Sequence, residues 1–526
     1  MRDFHKPGRS AVFAQNGMCA TSHPLAAQVA IDLLKRGGTA MDAAIAGALV
    51  LGICEPQMTG IGGDCFVLFS PAGTDDIHAM NGSGKAPAAA TANALRAQGH
   101  STVPLNSPAA VTIPAAIDAF CQLSDRWGRL GLDALLEPAI RYAEDGIPVA
   151  PRVAFDWQSG ADALQGAAAR NYYLKGDKPF VTGELFRAPG QAEVLRKVAR
   201  LGRDGFYAGD VMEDMLSTLN ALGGLHTADD FANARADETR PIHGEYHDHE
   251  LFEHPPNGQG ATAILLLNIL AQFDIAEMDP FGAERAHIEA EATKLAYDTR
   301  NRFMADPDHM SRQNYMLSMD TARNLAALID PKRAMPSATS LSESVHKDTV
   351  YITVVDRDGM SVSLIYSIFH TFGSGIATDK YGILFQNRGA GFTLDAGHPN
   401  ELAGGKRPMH TIIPGILAQK GKPIMPFGVM GGQYQSTGHA RLITNLLDFG
   451  MDPQTAIDAP RSFAEKGMLA VEKGYTPDVV QQLADLGHKI TMPETPIGGA
   501  QAVLMHESGV FEGASDPRKD GCALGY

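Results

Sequence analysis

Apolar residues fall at helical spacing through the front of the chain and in continuous or alternating runs toward its back. Over residues 24–35 they recur three and four apart, and Gly37-Gly38 supplies a stop, which predicts an amphipathic helix. Residues 41–53 are apolar nearly all round, the pattern of a buried helix. Thr59-Gly-Ile-Gly-Gly-Asp64 then leads into Cys65-Phe-Val-Leu-Phe69, a buried strand. Further helices are predicted over 114–127, 132–145, 258–273 and 283–303, with short helices and surface excursions over 151–190.

Residues 331–347, PKRAMPSATSLSESVHK, break the pattern and read as a linker or exposed loop. Directly after them TVYITVVD (349–356) is dense in β-branched residues. Asp358-Gly359 signals a hairpin, and 360–367 is the return strand. Strands are predicted over 381–386, 412–417, 424–429, 501–505 and 509–511, and helices over 438–449 and 476–486. No internal repeat is visible. A helix-rich front and a strand-rich back joined at an exposed loop fit a layered α/β or α+β architecture.

At roughly 150 residues per domain, 526 residues suggest three or four domains. An apolar share of 44% is that of a globular chain with a large core. With 44 basic against 60 acidic side chains and no basic run, nucleic acid and anionic membranes are poor partners. The N-terminal stretch lacks the apolar run of about 7–15 residues of a secretory signal, and no run is long enough to span a bilayer. The expectation is a soluble cytoplasmic protein. Its five cysteines, an odd number without CxxC spacing, read as buried small hydrophobes rather than a disulfide framework.

Gly60 to Asp64 does not make a dinucleotide loop: Cys65 stands where GxGxxG needs glycine, and a helix precedes where a strand is required. It reads as a turn that needs small residues. His243, His247, His249 and His254 lie among acidic residues, but no ligand-spacing motif accompanies them, so no metal is expected. No GxSxG elbow is present. A threonine at a strand start is ordinarily structural. Thr349, however, stands where an exposed loop meets a buried strand. A hydroxyl there can attack the carbonyl of Asp348, and the freed α-amine, titrating at about 7.7–8.0, suits a general base. Gly431-Gly432, directly after an apolar strand, offers either a tight turn or two N–H groups for one oxyanion.

At these residues the sequence resembles the γ-glutamyltranspeptidase family of N-terminal nucleophile hydrolases. The resemblance runs over nearly the whole chain. It is carried by Cys19-Ala-Thr-Ser-His-Pro24, Thr59 to Asp64, Lys294-Leu-Ala-Tyr-Asp298 with Arg300, Asp348-Thr349 and Phe372-Gly-Ser-Gly375. Lys406-Arg-Pro408, Met430-Gly-Gly432, Asp458-Ala-Pro-Arg461 and the tail from Asp516 to Tyr526 continue it. The resemblance implies an α+β four-layer αββα sandwich. It also implies a precursor that cuts itself between Asp348 and Thr349 into a large subunit, 1–348, and a small subunit, 349–526 (526 − 348 = 178 residues). Thr349 would be the nucleophile, Ser367 its supporting hydroxyl, and Gly431 and Gly432 the oxyanion glycines. No cofactor is implied. The three or four domains suggested by length would then be one catalytic unit, the large subunit its helix-rich half and the small one its strand-rich half. Association of whole copies stays open.

The departures bear on substrate. The family's carboxylate-binding arginine position holds Ser83, and its amine-binding positions hold Phe369 and Ala390-Gly391. His410-Thr411 replaces a serine pair. A glutamyl zwitterion would lose charged anchors worth about 1.5–3 kcal/mol each. The stretch from Gln386 to Phe392 with His398-Pro-Asn400 is similar to a subgroup that includes oxamate amidohydrolase and relatives of cephalosporin acylases. The resemblance therefore implies hydrolysis of a small carboxylate amide, oxamate first, with Asn387, Arg388, His410 and Thr411 around the carboxylate. For Arg388 a structural ion pair is an equal alternative, and for His410 an ordinary hydrogen-bonded place in a turn is the other reading. A γ-glutamyl or glutaryl amide hydrolase using other anchors, and a non-catalytic relative kept for binding, remain the other readings.

Overall fold

The β-branched run after residue 349 forms one central strand of a seven-stranded sheet, and a second sheet of seven packs on it. The computed structural model describes residues 5, 8–335 and 349–526. In chain order the strands of the two sheets are β1 (Val12–Ala14), β2 (Gly17–Thr21), β3 (Asp64–Ser70), β4 (His78–Gly82), β5 (Asp237–Thr239), β6 (Ile242–Tyr246), β7 (His249–Glu253), β8 (Val350–Asp356), β9 (Ser361–Ser367), β10 (Gly415–Gln419), β11 (Lys422–Met430), β12 (Gly499–Met505), β13 (Phe511–Ser515) and β14 (Cys522–Gly525). One sheet runs β14-β2-β8-β9-β3-β4-β5 and the other β1-β13-β12-β11-β10-β7-β6, with every pair antiparallel.

Helices cover both outer faces. On the β8 side lie α1 (Pro24–Lys35), α2 (Ala40–Cys54), α3 (Ala116–Trp127) and α4 (Leu132–Asp145). On the other lie α5 (Gly260–Leu270), α6 (Ala283–Phe303) and α7 (Gln435–Leu447). Every residue of α2 is buried, as its all-round apolar pattern requires, and a capping box of Thr39 and Asp42 starts it. Alternation sorts β8: Val350, Ile352 and Val354 join the core under α1 and α2, while Tyr351 and Val355 face the other sheet. Ile264, Leu267, Val429 and Ile443 fill the second helix–sheet layer. The architecture is the expected four-layer αββα sandwich. Among the described residues no helix is long and apolar enough to cross a membrane, and all five cysteines are unpaired.

Two expectations need correction. The stretch 381–386 is not a strand: Gly382 at φ 65° bends it, and its amides bond into loops, Phe385 to Ile376 and Gln386 to Gly62. Its apolar side chains are buried, and its one bridge, Leu384 to Ala377, is isolated and extends into no ladder. The front of the chain is also richer in strand than its pattern shows, supplying β1 to β7, half of the fourteen. β4 and β6 contain glycine and polar residues, which hides their alternation.

The Gly60–Asp64 turn follows α2 and precedes β3, the helix-then-strand order expected. A Cβ on Gly62 would lie 2.3 Å from the Leu384 carbonyl oxygen, and one on Gly63 2.6 Å from that of Ser367. Gly62→Ala is therefore expected to destabilise the fold by about 1–3 kcal/mol. Urea unfolding should show a lower midpoint at unchanged slope, and an unaltered midpoint would refute this packing.

Candidate active site

Thr349 is buried immediately before β8, on the strand face turned to the second sheet. Asp348 lies outside the described residues. The Thr349 hydroxyl donates to Ser367 Oγ at 3.2 Å. Ser367 ends β9 directly opposite Asp64, the first residue of β3, so hairpin register alone brings these groups together. Ser367 Oγ also accepts from the Phe369 amide (2.9 Å) and from Arg388 Nη2 (3.2 Å). Arg388 Nη1 reaches Thr411 Oγ1 at 3.3 Å. Four sequence-predicted residues, Thr349, Ser367, Arg388 and Thr411, thus form one hydrogen-bonded chain.

Arg388 is fully buried, its guanidinium 4.1 Å above the centre of the Phe369 ring. Burial pulls it down to about 9, and the Asp64 carboxylate opposes that shift. Asp64 is buried too and is pushed up to about 7 by desolvation, with Arg388 holding it down in turn. Phe369 itself sits at φ 80°, a conformation unfavourable for a bulky side chain and a recurrent mark of functional sites.

Gly431 and Gly432 follow β11 at φ 117° and 56°. A Cβ on Gly431 would approach the Gly498 Cα to 2.8 Å, so the turn excludes side chains. Met430, at the end of β11, packs against Tyr351 between the sheets. Gln259 Nε2 ties the Gly432 carbonyl (3.1 Å) to that of Thr411 (2.6 Å), and Arg300 Nη1 donates to Gln259 Oε1 at 2.7 Å. These buried braces join the glycine turn to the Arg388–Thr411 side of the site.

The other two predicted binding residues stand differently. The Asn387 amide is spent on backbone, accepting from His370 N (3.2 Å) and donating to Leu105 O (3.4 Å). It shapes the loop that carries Arg388. His410 is buried and held neutral by desolvation and by Arg388 and Arg407, and neither ring nitrogen has a hydrogen-bond partner. Asp64, Phe369, Gln259 and Arg300 were not predicted as site residues. Asp64 and Arg300 were legible only within family-like stretches and Phe369 only as a departure at a family anchor position, while nothing in the sequence pointed to Gln259.

An open cleft of about 190 Å³ is lined by Phe369, Ala390, Gly391, Arg300 and Gln433, among others. The four clustered histidines do not converge on a metal geometry: His247 bonds Asp448, His249 pairs with Asp248, and His254 stacks on Phe66. Among the described residues only His287, Glu291 and His488 approach ligand spacing. Their atoms are already engaged with each other, with Lys294, and with the backbone of Asp330 and Met335. The trio fastens the chain just before residue 336.

The gamma-glutamyltranspeptidase family matches residues 26–526. The chain is 34% identical to the glutathione hydrolase-like YwrD proenzyme of Bacillus subtilis, over 98% of this chain and 99% of that protein. It is also 34% identical to the oxamate amidohydrolase proenzyme of Klebsiella pneumoniae, over 98% and 100%. The crystal structure of cephalosporin acylase from Bacillus halodurans superposes with a TM-score of 0.92 at 36% identity, over 100% of this chain and 99% of that one.

Proposed function

The chain belongs to the gamma-glutamyltranspeptidase family of amide-bond hydrolases, and from that premise we propose a self-processing amidohydrolase for small carboxylate amides, with oxamate the best-fitting substrate. Cleavage between Asp348 and Thr349 gives a large subunit, 1–348, and a small one, 349–526. The freed Thr349 amine takes the proton of its own Oγ1, which attacks the amide carbon. The Gly431 and Gly432 N–H groups receive the oxyanion. Ammonia leaves with the proton held by the amine. Water then attacks the threonyl ester, and the free acid departs. Ser367 holds Oγ1 in line throughout.

One observation carries the choice of substrate. Two contacts of 3.2 Å separate Thr349 Oγ1 from the Arg388 guanidinium. A carboxylate bonded directly to the reacting carbonyl, as in oxamate, reaches that cation, and Thr411 supplies a hydroxyl beside it. The carboxylate of a γ-glutamyl group would lie three carbons farther off.

The open cleft over Phe369, Ala390 and Gly391 favours the second reading, a γ-glutamyl or glutaryl amide hydrolase, because it has room for a longer acyl group. A panel of oxamate, glutaryl anilide and γ-glutamyl anilide ranks the two. Ammonia release from oxamate should exceed anilide release by at least about 10-fold, the margin of one well-placed polar contact. Faster turnover of glutaryl anilide would reverse the assignment. A persistent single chain inert on the whole panel would make the protein a non-catalytic relative.

A further inference from the structure

Four buried polar atoms next to the nucleophile pair have no hydrogen-bond partner: Asp64 Oδ2, Arg388 Nε and both ring nitrogens of His410. Buried polar groups are nearly always paired, so a cluster of exceptions marks a place where charge itself matters. We infer that Asp64 is a positioning residue of the site: its carboxylate is the counter-charge that holds the Arg388 guanidinium against Ser367 and Thr411. The inference rests on the proposed function only for its activity measurement.

The geometry is specific. Register fixes Asp64 across from Ser367. Its Oδ1 accepts from the Gly84 amide at 3.1 Å, which anchors the carboxylate, while Oδ2 stays free with His410 Nε2 3.8 Å away. No carboxylate lies within ion-pair contact of Arg388 among the described residues, so Asp64 is the opposite charge that this buried cation feels. Arg388 therefore keeps its proton through Asp64 and keeps its aim through Ser367, Thr411 and the Phe369 ring. The charged and titratable groups around Asp64 are Arg388, Arg407, neutral His410, Tyr366 on β9 and Cys65 on β3. Burial pushes the Tyr366 phenol and the Cys65 thiol up, so neither carries charge.

Asp64→Asn keeps an acceptor for Gly84 and removes the charge. It is expected to lower kcat/KM by about 10²-fold, the scale of a misplaced catalytic contact. It should also change the acid limb of the pH–rate profile. The wild type must lose two protons on that limb, from Asp64 near 7 and from the Thr349 amine, whereas D64N loses only the second and its limb is less steep. A merely structural role would lower the rate without altering that slope. Independently of any substrate, melting temperatures of D64N, Arg388→Met and the double variant should be non-additive, the double falling less than the sum. Additive effects, or a limb of unchanged steepness, would overturn the inference.

If D64N does not fold, R388M alone decides. The raised Asp64 stabilises the fold while protonated, fully below its unfolded value of about 3.9, and that contribution is lost as pH rises through about 7. Without Arg388 the loss should extend to higher pH than in the wild type. Identical pH dependence of the melting temperature would refute the pairing. Wild-type protein inert on every amide, with a non-additive cycle, would leave Asp64 standing and remove the substrate assignment instead.

Discussion

Thr349→Ala is expected to yield one uncut chain of 526 residues with no amidase activity, where the wild type runs as chains of 348 and 178 (526 − 348). In the proposed mechanism the substitution removes both the group that cuts the backbone and the group that takes the acyl chain. Loss of a nucleophile acting as a unit with its base costs on the order of 10⁵-fold or more in kcat. The fold should survive: the side chain is small, and among the described residues only its hydrogen bond to Ser367, worth about 0.5–1.5 kcal/mol, is given up. Denaturing electrophoresis with circular dichroism checks both halves. A cut chain, or residual turnover above the background, would place the nucleophile elsewhere.

The second large effect belongs to Arg388. Arg388→Met keeps the volume over Phe369 and removes the cation. For a substrate whose carboxylate adjoins the reacting carbonyl, two charge-assisted contacts at about 1.5–3 kcal/mol each are at stake, a loss of roughly 10²–10⁴ in kcat/KM. An uncharged amide of equal length should lose little. Arg388→Lys should fall between, because a point charge cannot bridge Ser367 and Thr411 as the planar fork does. Equal losses on charged and uncharged amides would remove Arg388 from substrate binding.

The helices were legible because burial writes itself into spacing: residues 132–145 and 283–303 are predicted to the residue. β8 and β9 were legible from β-branched density and an Asp-Gly turn. β4, β6 and β7 were not, because edge and near-edge strands with histidine, glutamate and glycine carry no clean alternation. The site divides the same way. Thr349 follows from an exposed loop meeting a buried strand, a local feature, whereas Ser367 is named only through the family resemblance. The inferred electrostatic coupling of Asp64 and Arg388 joins residues 324 apart (388 − 64) through sheet register and a loop, so spacing along the chain says nothing of it. His410 shows the limit of residue type: predicted beside a substrate carboxylate, it is buried and held neutral 3.8 Å from the Asp64 carboxyl, which its spacing along the chain does not reveal.

The interleaved sheet order has a kinetic meaning. β8 lies between β2, from ahead of the 336–348 segment, and β9, from behind it, and the second sheet likewise flanks β10 to β13 with β1 on one side and β7 and β6 on the other. Neither product of a cut before Thr349 contains a complete sheet. The intact precursor folds as a first-order process, its partner strands tethered at high effective concentration. Once cut and denatured, the same sequence must find its other half by collision, so renaturation becomes second order and yield falls on dilution. Self-processing therefore works as a ratchet, in which assembly precedes the cut and the cut then discards the tether that made assembly fast.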